Sequence, residues 1–349
     1  MKSETLPIQK WLARGLSLVI IFTLISTGFM LLHSSAWNLK IDFSRLNYLA
    51  LGLACLALLV SWIAEGGRIK VIAAGLGEKI TLAKVLGINL AAACTANITP
   101  FYSGGIPTQI YLLCRNGIQP GKSSAIVTLR LIISTLIFTL FAPFLLLFYH
   151  TKFSFGIARQ ITAVAIPLAF LGSALMIFFI INPKLLGNFF AFLIGLFKNH
   201  RFSQKIKSRL ERLLEEIETF HQSIKDFRNG IHFYIAFLLS ILYWISFFSI
   251  APLLIYTFGA SGPGVFLETI LLQFILVFIV AYIPIPSGSG VMELGLYSVF
   301  IFVPSLQLRT IIILIWRFLS YHVATFVGGV ILIKQIHSPR LARAGEVGD

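Results

Sequence analysis

Pro284-Ile285-Pro286-Ser287-Gly288-Ser289-Gly290-Val291-Met292-Glu293 is the stretch whose reading decides the fold. Two prolines remove amide donors and stop a helix, and glycines reach φ values that other residues avoid. In a water-soluble chain this would be a surface turn. Here apolar runs flank it on both sides, Val265–Ile283 and Leu294–Val303. The break therefore falls at membrane depth, where irregular backbone is tolerated only if protein buries it or it lines a wet cavity. A second break of the same kind lies in the other half: Asn97-Ile98-Thr99-Pro100-Phe101-Tyr102-Ser103-Gly104-Gly105-Ile106-Pro107. Paired Gly/Pro-interrupted apolar segments in corresponding halves point to a transporter-like binding site.

Composition agrees with a membrane setting. Of 349 residues, 57% are hydrophobic and only 12% charged, where a soluble domain carries about 25%. The apolar runs are continuous rather than alternating, which excludes a transmembrane β-barrel. The expected class is all-α, a polytopic helical membrane protein. The formal charge of +15 does not indicate nucleic acid, because the basic residues flank apolar spans and read as topology signals and contacts to anionic lipid. Cys55, Cys94 and Cys114 fall in or beside apolar segments without metal-like spacing and read as small core residues. The first apolar run is long for a signal peptide and is read as a transmembrane helix.

Taken in order, full spans are expected at about Gly15–Leu32, Leu46–Ile63, Ser123–Phe148, Ile161–Ile181, Ile231–Tyr256 and Thr310–Leu332. Basic residues at Lys2, Lys10 and Arg14, and again at Arg68, Lys70, Lys79 and Lys84, place the N-terminus in the cytoplasm by the positive-inside rule. Val85–Ile98 is apolar but only about 14 residues long, short of the ~20 needed to cross. If it crossed, the basic region Pro183–Gly230 would lie outside. Val85–Cys114 is therefore drawn as a re-entrant hairpin, and Val265–Val303 as a second one entering from the opposite side. The region between the halves, about 184–230, carries Ile206, Leu210, Leu213, Ile217, Phe220, Ile224 and Phe227 at helical spacing, an amphipathic cytoplasmic helix on the membrane surface. Residues 1–335 thus form one transmembrane domain, with halves at about 15–182 and 231–334, and 336–349 a tail. Both termini are expected in the cytoplasm. Arg130 follows Gly105 by 25 residues and Arg317 follows Gly290 by 27, a spacing compatible with an inverted repeat.

With these motifs in place, the chain resembles the lysylphosphatidylglycerol synthase transmembrane region, a flippase-like family. The resemblance rests on Glu65-Gly66-Gly67-Arg68, Asn97 with Thr99-Pro100, Gly104-Gly105, Leu113 with Arg115 and Gly117, Arg130, Pro286 through Gly290 with Glu293, and Arg317 with Tyr321. It covers about Leu16 to Leu332. Many members carry a basic residue before the double glycine and an acidic one after it; this chain has Tyr102-Ser103 and Ile106-Pro107 there. Bifunctional members continue into a soluble aminoacyl-transferase domain, which is not expected here, the sequence ending at Asp349. The resemblance therefore implies translocation of an anionic phospholipid or lipid-linked precursor, not its aminoacylation.

The candidate substrate-binding set is Asn97, Gly104, Gly105, Arg115, Arg130, Gly288, Gly290, Glu293 and Arg317. Charge inside a membrane costs roughly 2.5–3.5 kcal/mol per residue at the helix centre and turns toward a bundle interior. Guanidinium suits bidentate phosphate contact, so Arg130 and Arg317 are read as holding a lipid phosphate, Arg130 first. Glu293 is assigned first to an ion pair with an arginine, Arg317 being the plausible partner, that locks hairpin to helix. Arg68 and Arg115 read as interfacial anchors, and the glycines as backbone-geometry residues whose free amides could also meet an anionic head group. No nucleotide loop, zinc motif or paired-Cys pattern occurs, so neither an enzyme nor a cofactor is expected. Membrane lipids are the expected partners, and a homo-oligomer remains open. A carrier of small anions and an accessory subunit of a separate lipid-modifying synthase are the alternative functions.

Overall fold

The computed structural model describes residues 42–149, 230–260, 264–280, 290–300 and 302–337, together with positions 25, 27–32, 34, 170, 171, 174, 227 and 262. Nine α-helices and no strand occur among them: α1 Tyr48–Gly75, α2 Leu82–Asn97, α3 Gly105–Arg115, α4 Pro120–Tyr149, α5 Ile231–Thr257, α6 Val265–Val280, α7 Val291–Val299, α8 Leu306–Arg317 and α9 Val323–His337. A π-helical turn, Phe318–His322, joins α8 to α9. Four helical segments are long and apolar enough to cross a membrane: Tyr48–Gly75, Pro120–Phe141, Ile231–Thr257 and Leu306–Gln335. Two more, Leu82–Asn97 and Val265–Val280, are apolar but shorter. The expected spans one and four and the amphipathic segment lie outside the described residues but for isolated positions, as does Gly288.

Two helices form the axis of the molecule. On α1 the buried residues Ala50, Ala54, Leu58, Ser61, Glu65, Arg68 and Ile72 recur every three or four positions, which puts them on one face. Small residues on that face let the helix backbones approach, the usual source of helix cohesion in lipid. The Asn47 amide donates to the Thr257 carbonyl at 2.9 Å, while Gly75 lies against Phe227 and His232. The start of α1 thus meets the end of α5, and the two helices run antiparallel. The sequence reading ended this span near Ile63, but the helix continues for three further turns. Glu65 and Arg68, three residues apart, neutralise each other on the buried face and do not end the span.

Each break is flanked by two packed arms. In the first, Thr99 Oγ1 accepts from the Gly104 amide at 2.8 Å and donates to the Thr95 carbonyl at 2.9 Å. Phe101 and Tyr102 both take φ of 56°, a conformation costly for side-chain-bearing residues. Gly104 itself has φ of −70°. Its role therefore differs from the expected one: a Cβ there would stand 2.7 Å from the Thr95 carbonyl oxygen. Space, not φ, requires that glycine. In the second break Gly290 does need a positive φ, 87°, and its amide donates to Glu293 Oε2 at 2.6 Å.

The first arms cross over between the halves. α2 packs on α9, with Gly328 so near Leu90 that a Cβ would collide with its carbonyl oxygen. α6 packs on α4, where Phe274 stacks on Phe138 with ring centroids 4.3 Å apart. α6 also completes α5 at a proline: Pro252 cannot donate to the Phe248 carbonyl, and Gln273 Nε2 does so instead at 2.9 Å.

Among the described residues two large apolar cores form, with a smaller cluster of Ile137, Phe138, Phe248, Phe274, Ile275 and Phe278 where α4, α5 and α6 meet. One gathers Ala54, Leu58, Ala251, Leu254, Leu272, Leu296 and Ile312 around the second break. The other gathers Ile69, Ile72, Val85, Ile88, Leu112, Leu113 and Ala236 around the first. Between them α1 presents Ser61, Glu65 and Arg68, and α5 presents Ser240, Tyr243 and Trp244. Neither core closes over that gap.

Candidate functional site: a charged cavity between the two cores

The gap holds a cavity of about 640 Å³, to which every one of the nine described helices contributes. Charged and aromatic side chains both line it. Glu65, Arg68 and Arg130 meet on one side, and Arg317 approaches with Tyr321 from α8 and the π turn. Trp62, Phe138, Trp244, Phe247, Phe278 and Trp316 supply a broad aromatic face. Such a volume suits a drug-sized or head-group-sized ligand.

The first charged group is a triad. Glu65 and Arg68 are only 3% and 1% exposed. Glu65 Oε2 accepts from Arg68 Nη2, and Oε1 accepts from Arg130 Nη1 at 2.7 Å. Arg68 Nη1 also donates to Ser134 at 2.6 Å and Ser240 at 3.1 Å, and its guanidinium stands 5.5 Å from the Tyr243 ring centroid. One carboxylate therefore serves two arginines. The second group is balanced: Arg317 Nε donates to Glu293 Oε1 at 2.7 Å, and Glu293 Oε2 holds the Gly290 amide. Arg317 also lies over Tyr321 at 4.7 Å, Tyr321 Oη donates to the Asn97 carbonyl at 3.1 Å, and Asn97 Nδ2 donates to Thr325 at 2.7 Å. This chain of contacts runs from the start of α7 through the π turn to the end of α2.

Across both groups three guanidiniums face two carboxylates among the described residues, an excess of one positive charge there. Several wall side chains also carry polar atoms without a hydrogen-bond partner among the described residues. Four are donors, Arg68 Nε, Arg130 Nε, Trp244 Nε1 and Trp316 Nε1; one is an acceptor, Gln109 Oε1. Buried donors left unmade are costly, and here they concentrate around one cavity. The excess of positive charge makes the site electrostatically suited to an anion.

Of the residues selected from sequence, Arg130, Arg317, Asn97 and Gly105 share the cavity wall. Gly104, Gly290 and Glu293 are not among its described lining; they shape the first turn and hold Arg317. Arg115 ends α3 with its guanidinium 5.6 Å from the Tyr111 ring centroid and is not part of the described wall either. Arg68 corrects the sequence reading most sharply, since it is an internal ion-pair member and not an interfacial anchor. Glu65 and Gln109 were not selected. The apolar residues Val71-Ile72-Ala73-Ala74 beyond Arg68 were the available sign that the span runs on and carries Glu65 with it. Gln109, beside Thr108 in the second arm of the first hairpin, had no comparable signal.

The fold and cavity define a helical membrane protein with a charged site enclosed among its spans. The chain belongs to the family described as the lysylphosphatidylglycerol synthase TM region, which it matches over residues 10–328. A protein of Archaeoglobus fulgidus named UPF0104 membrane protein is 28% identical over 291 residues, covering 82% of this chain and 86% of that protein.

Proposed function

We propose that this chain translocates an anionic phospholipid or lipid-linked precursor across the cell membrane, as a carrier and not as an enzyme. The observation that carries this reading is the surplus guanidinium beside a broad aromatic face in one cavity among membrane helices. A free inorganic anion has no use for the aromatic half; an amphiphile uses both. In this reading Arg130 takes the phosphate. It is the more accessible triad member, its side chain 21% exposed, and Glu65 keeps Arg68 when Arg130 turns to a ligand. The two broken segments act as opposed re-entrant hairpins of an inverted repeat, and the cross-over packing of α2 on α9 and α6 on α4 supports that pairing. Both termini lie in the cytoplasm, so externally applied thiol reagents should miss cysteines introduced near Lys205 and Arg340 in intact cells.

The decisive assay is purified protein in proteoliposomes carrying a fluorescent anionic phospholipid, with accessibility to an external quencher followed in time. Wild type should equilibrate the label between leaflets, and Arg130→Ala should not. Passage of a water-soluble anion without lipid movement would turn the assignment to a small-anion carrier. Lipid binding without movement in either case would favour an accessory subunit of a lipid-modifying synthase.

A further inference from the structure

The first break carries its strain in an unexpected place. Its glycines, Gly104 and Gly105, lie beyond the two residues that take left-handed backbone, Phe101 and Tyr102, each with φ of 56°. That region is unfavourable for any residue with a side chain, and such strain persists where surrounding structure over-determines it, typically at clamps and switches. The base of the turn is fastened. Gly104 donates its amide to Thr99 Oγ1 at 2.8 Å, and Thr95 Oγ1 donates to the Gly104 carbonyl at 3.1 Å. The tip projects inward, since both aromatic side chains line the cavity. Phe101 remains 55% exposed. Tyr102 lies within electrostatic reach of Arg317 and Glu293, the balanced pair, and of Tyr243. Tyr243 is the ring whose centroid lies 5.5 Å from the Arg68 guanidinium of the triad. The tip therefore neighbours both charge groups.

We infer that Phe101 and Tyr102 form a sprung gate: the Tyr102 ring bars the cavity between triad and pair, and relaxation of the left-handed turn withdraws it. The inference rests on the lipid-translocation reading for the cargo that passes, and adds to it the step that limits passage. Opening returns both residues to the favoured half of φ space. The closed turn thus works against its own backbone and is held by the bracket of Thr95, Thr99 and Gly104. The balance between closed and open is then set partly at Phe101, which bears strain without being the bar. A glycine there relieves the closed turn and shifts the population toward it. Removing the strain of one left-handed residue corresponds to about tenfold in that balance.

The test uses the full chain in proteoliposomes. It reads the initial rate of fluorescent phosphatidylglycerol movement per folded protein, beside the detergent melting temperature. Phe101→Gly is compared with Phe101→Ala, which lacks the same ring but keeps the strain. The glycine variant should melt later and yet move lipid about tenfold more slowly. Tyr102→Ala should move lipid faster than wild type; Tyr102→Leu, which preserves more of the packing, should also be faster, by less. In the Tyr102→Ala background the two Phe101 variants should move lipid at equal rates, because a missing bar makes the spring irrelevant. Equal rates for the two Phe101 variants beside the intact tyrosine, or a glycine variant that melts no later, overturn the gate. Slower movement than wild type in both Tyr102 variants also overturns it. Each of those outcomes leaves lipid translocation standing. Failure of wild type to move the lipid overturns the translocation reading and this inference with it.

Discussion

The two buried charge groups are built on different stoichiometries. Around the second break one arginine meets one glutamate, and Arg317 is further held against Tyr321. Around α1 one glutamate is shared by two arginines. The balanced pair acts as a strut: its charges are spent on each other and on the Gly290 amide. The shared carboxylate leaves the triad with charge to spare, and Arg130 is the member that can leave without stranding its partner. A buried charge group is thus better read by its balance than by its presence.

The largest effect that can break this comparison is Glu65→Ala. It strands two arginines at once, and losing one side of a buried pair commonly costs roughly 3–5 kcal/mol. Glu65→Ala should fall at or beyond the upper end, seen as the steepest drop in detergent melting temperature. A loss no greater than that of Glu293→Ala would erase the distinction between triad and pair.

Arg317→Ala comes next, at about 3 kcal/mol, because Glu293 keeps its hydrogen bond from Gly290. Removing Glu293 as well should recover part of that loss. If the double variant is simply the sum of the two singles, the strut interpretation fails.

The glycines sharpen the contrast between the two breaks at the scale of 1–3 kcal/mol, the cost of overpacking. Gly104→Ala forces a methyl against the Thr95 carbonyl, whereas no described residue stands within 4 Å of a Cβ built on Gly290. Gly290→Ala suffers only backbone strain, again about 1–3 kcal/mol. Widening the contact by Thr99→Ser should therefore relieve Gly104→Ala, since the Thr99 methyl is one of the atoms met at 2.9 Å. Among the described residues no comparable neighbour stands where trimming would relieve Gly290→Ala. Thermal melting of the single and double variants decides this.

The smallest stability change belongs to Arg130→Ala, about 1 kcal/mol, because Glu65 retains Arg68. Phospholipid movement should nevertheless be lost, and Arg130→Lys should restore only part of it, since an ammonium cannot bind a phosphate bidentately. A protein that melts as early as Glu65→Ala would show that Arg130 is a third strut.

These contrasts were unequally legible in the sequence. The breaks announced themselves, because proline and glycine act locally and their effect on backbone needs no tertiary context. The Glu293–Arg317 pairing was also within reach, given one acid beside one intramembrane arginine. Arg68 misled because charge ordinarily marks the end of a span, and only packing on α5 reveals a pair turned inward. The crowding at Gly104 and the pairing of Gln109 with Asn89 were out of reach for the same reason. Each depends on what stands opposite, and opposition across a hairpin is set by its turn.

One feature of α5 has a mechanical side. At Pro252 the helix lacks a rung of its own ladder, and Gln273 on α6 supplies it from outside. The stiffness of α5 at that point is consequently borrowed. Were α6 to slide along its neighbour by even a fraction of a turn, the Phe248 carbonyl would lose that donor and α5 its outside support at Pro252. Motion of the second hairpin arm and flexure of the axial helix are then one coordinate, geared through a single amide.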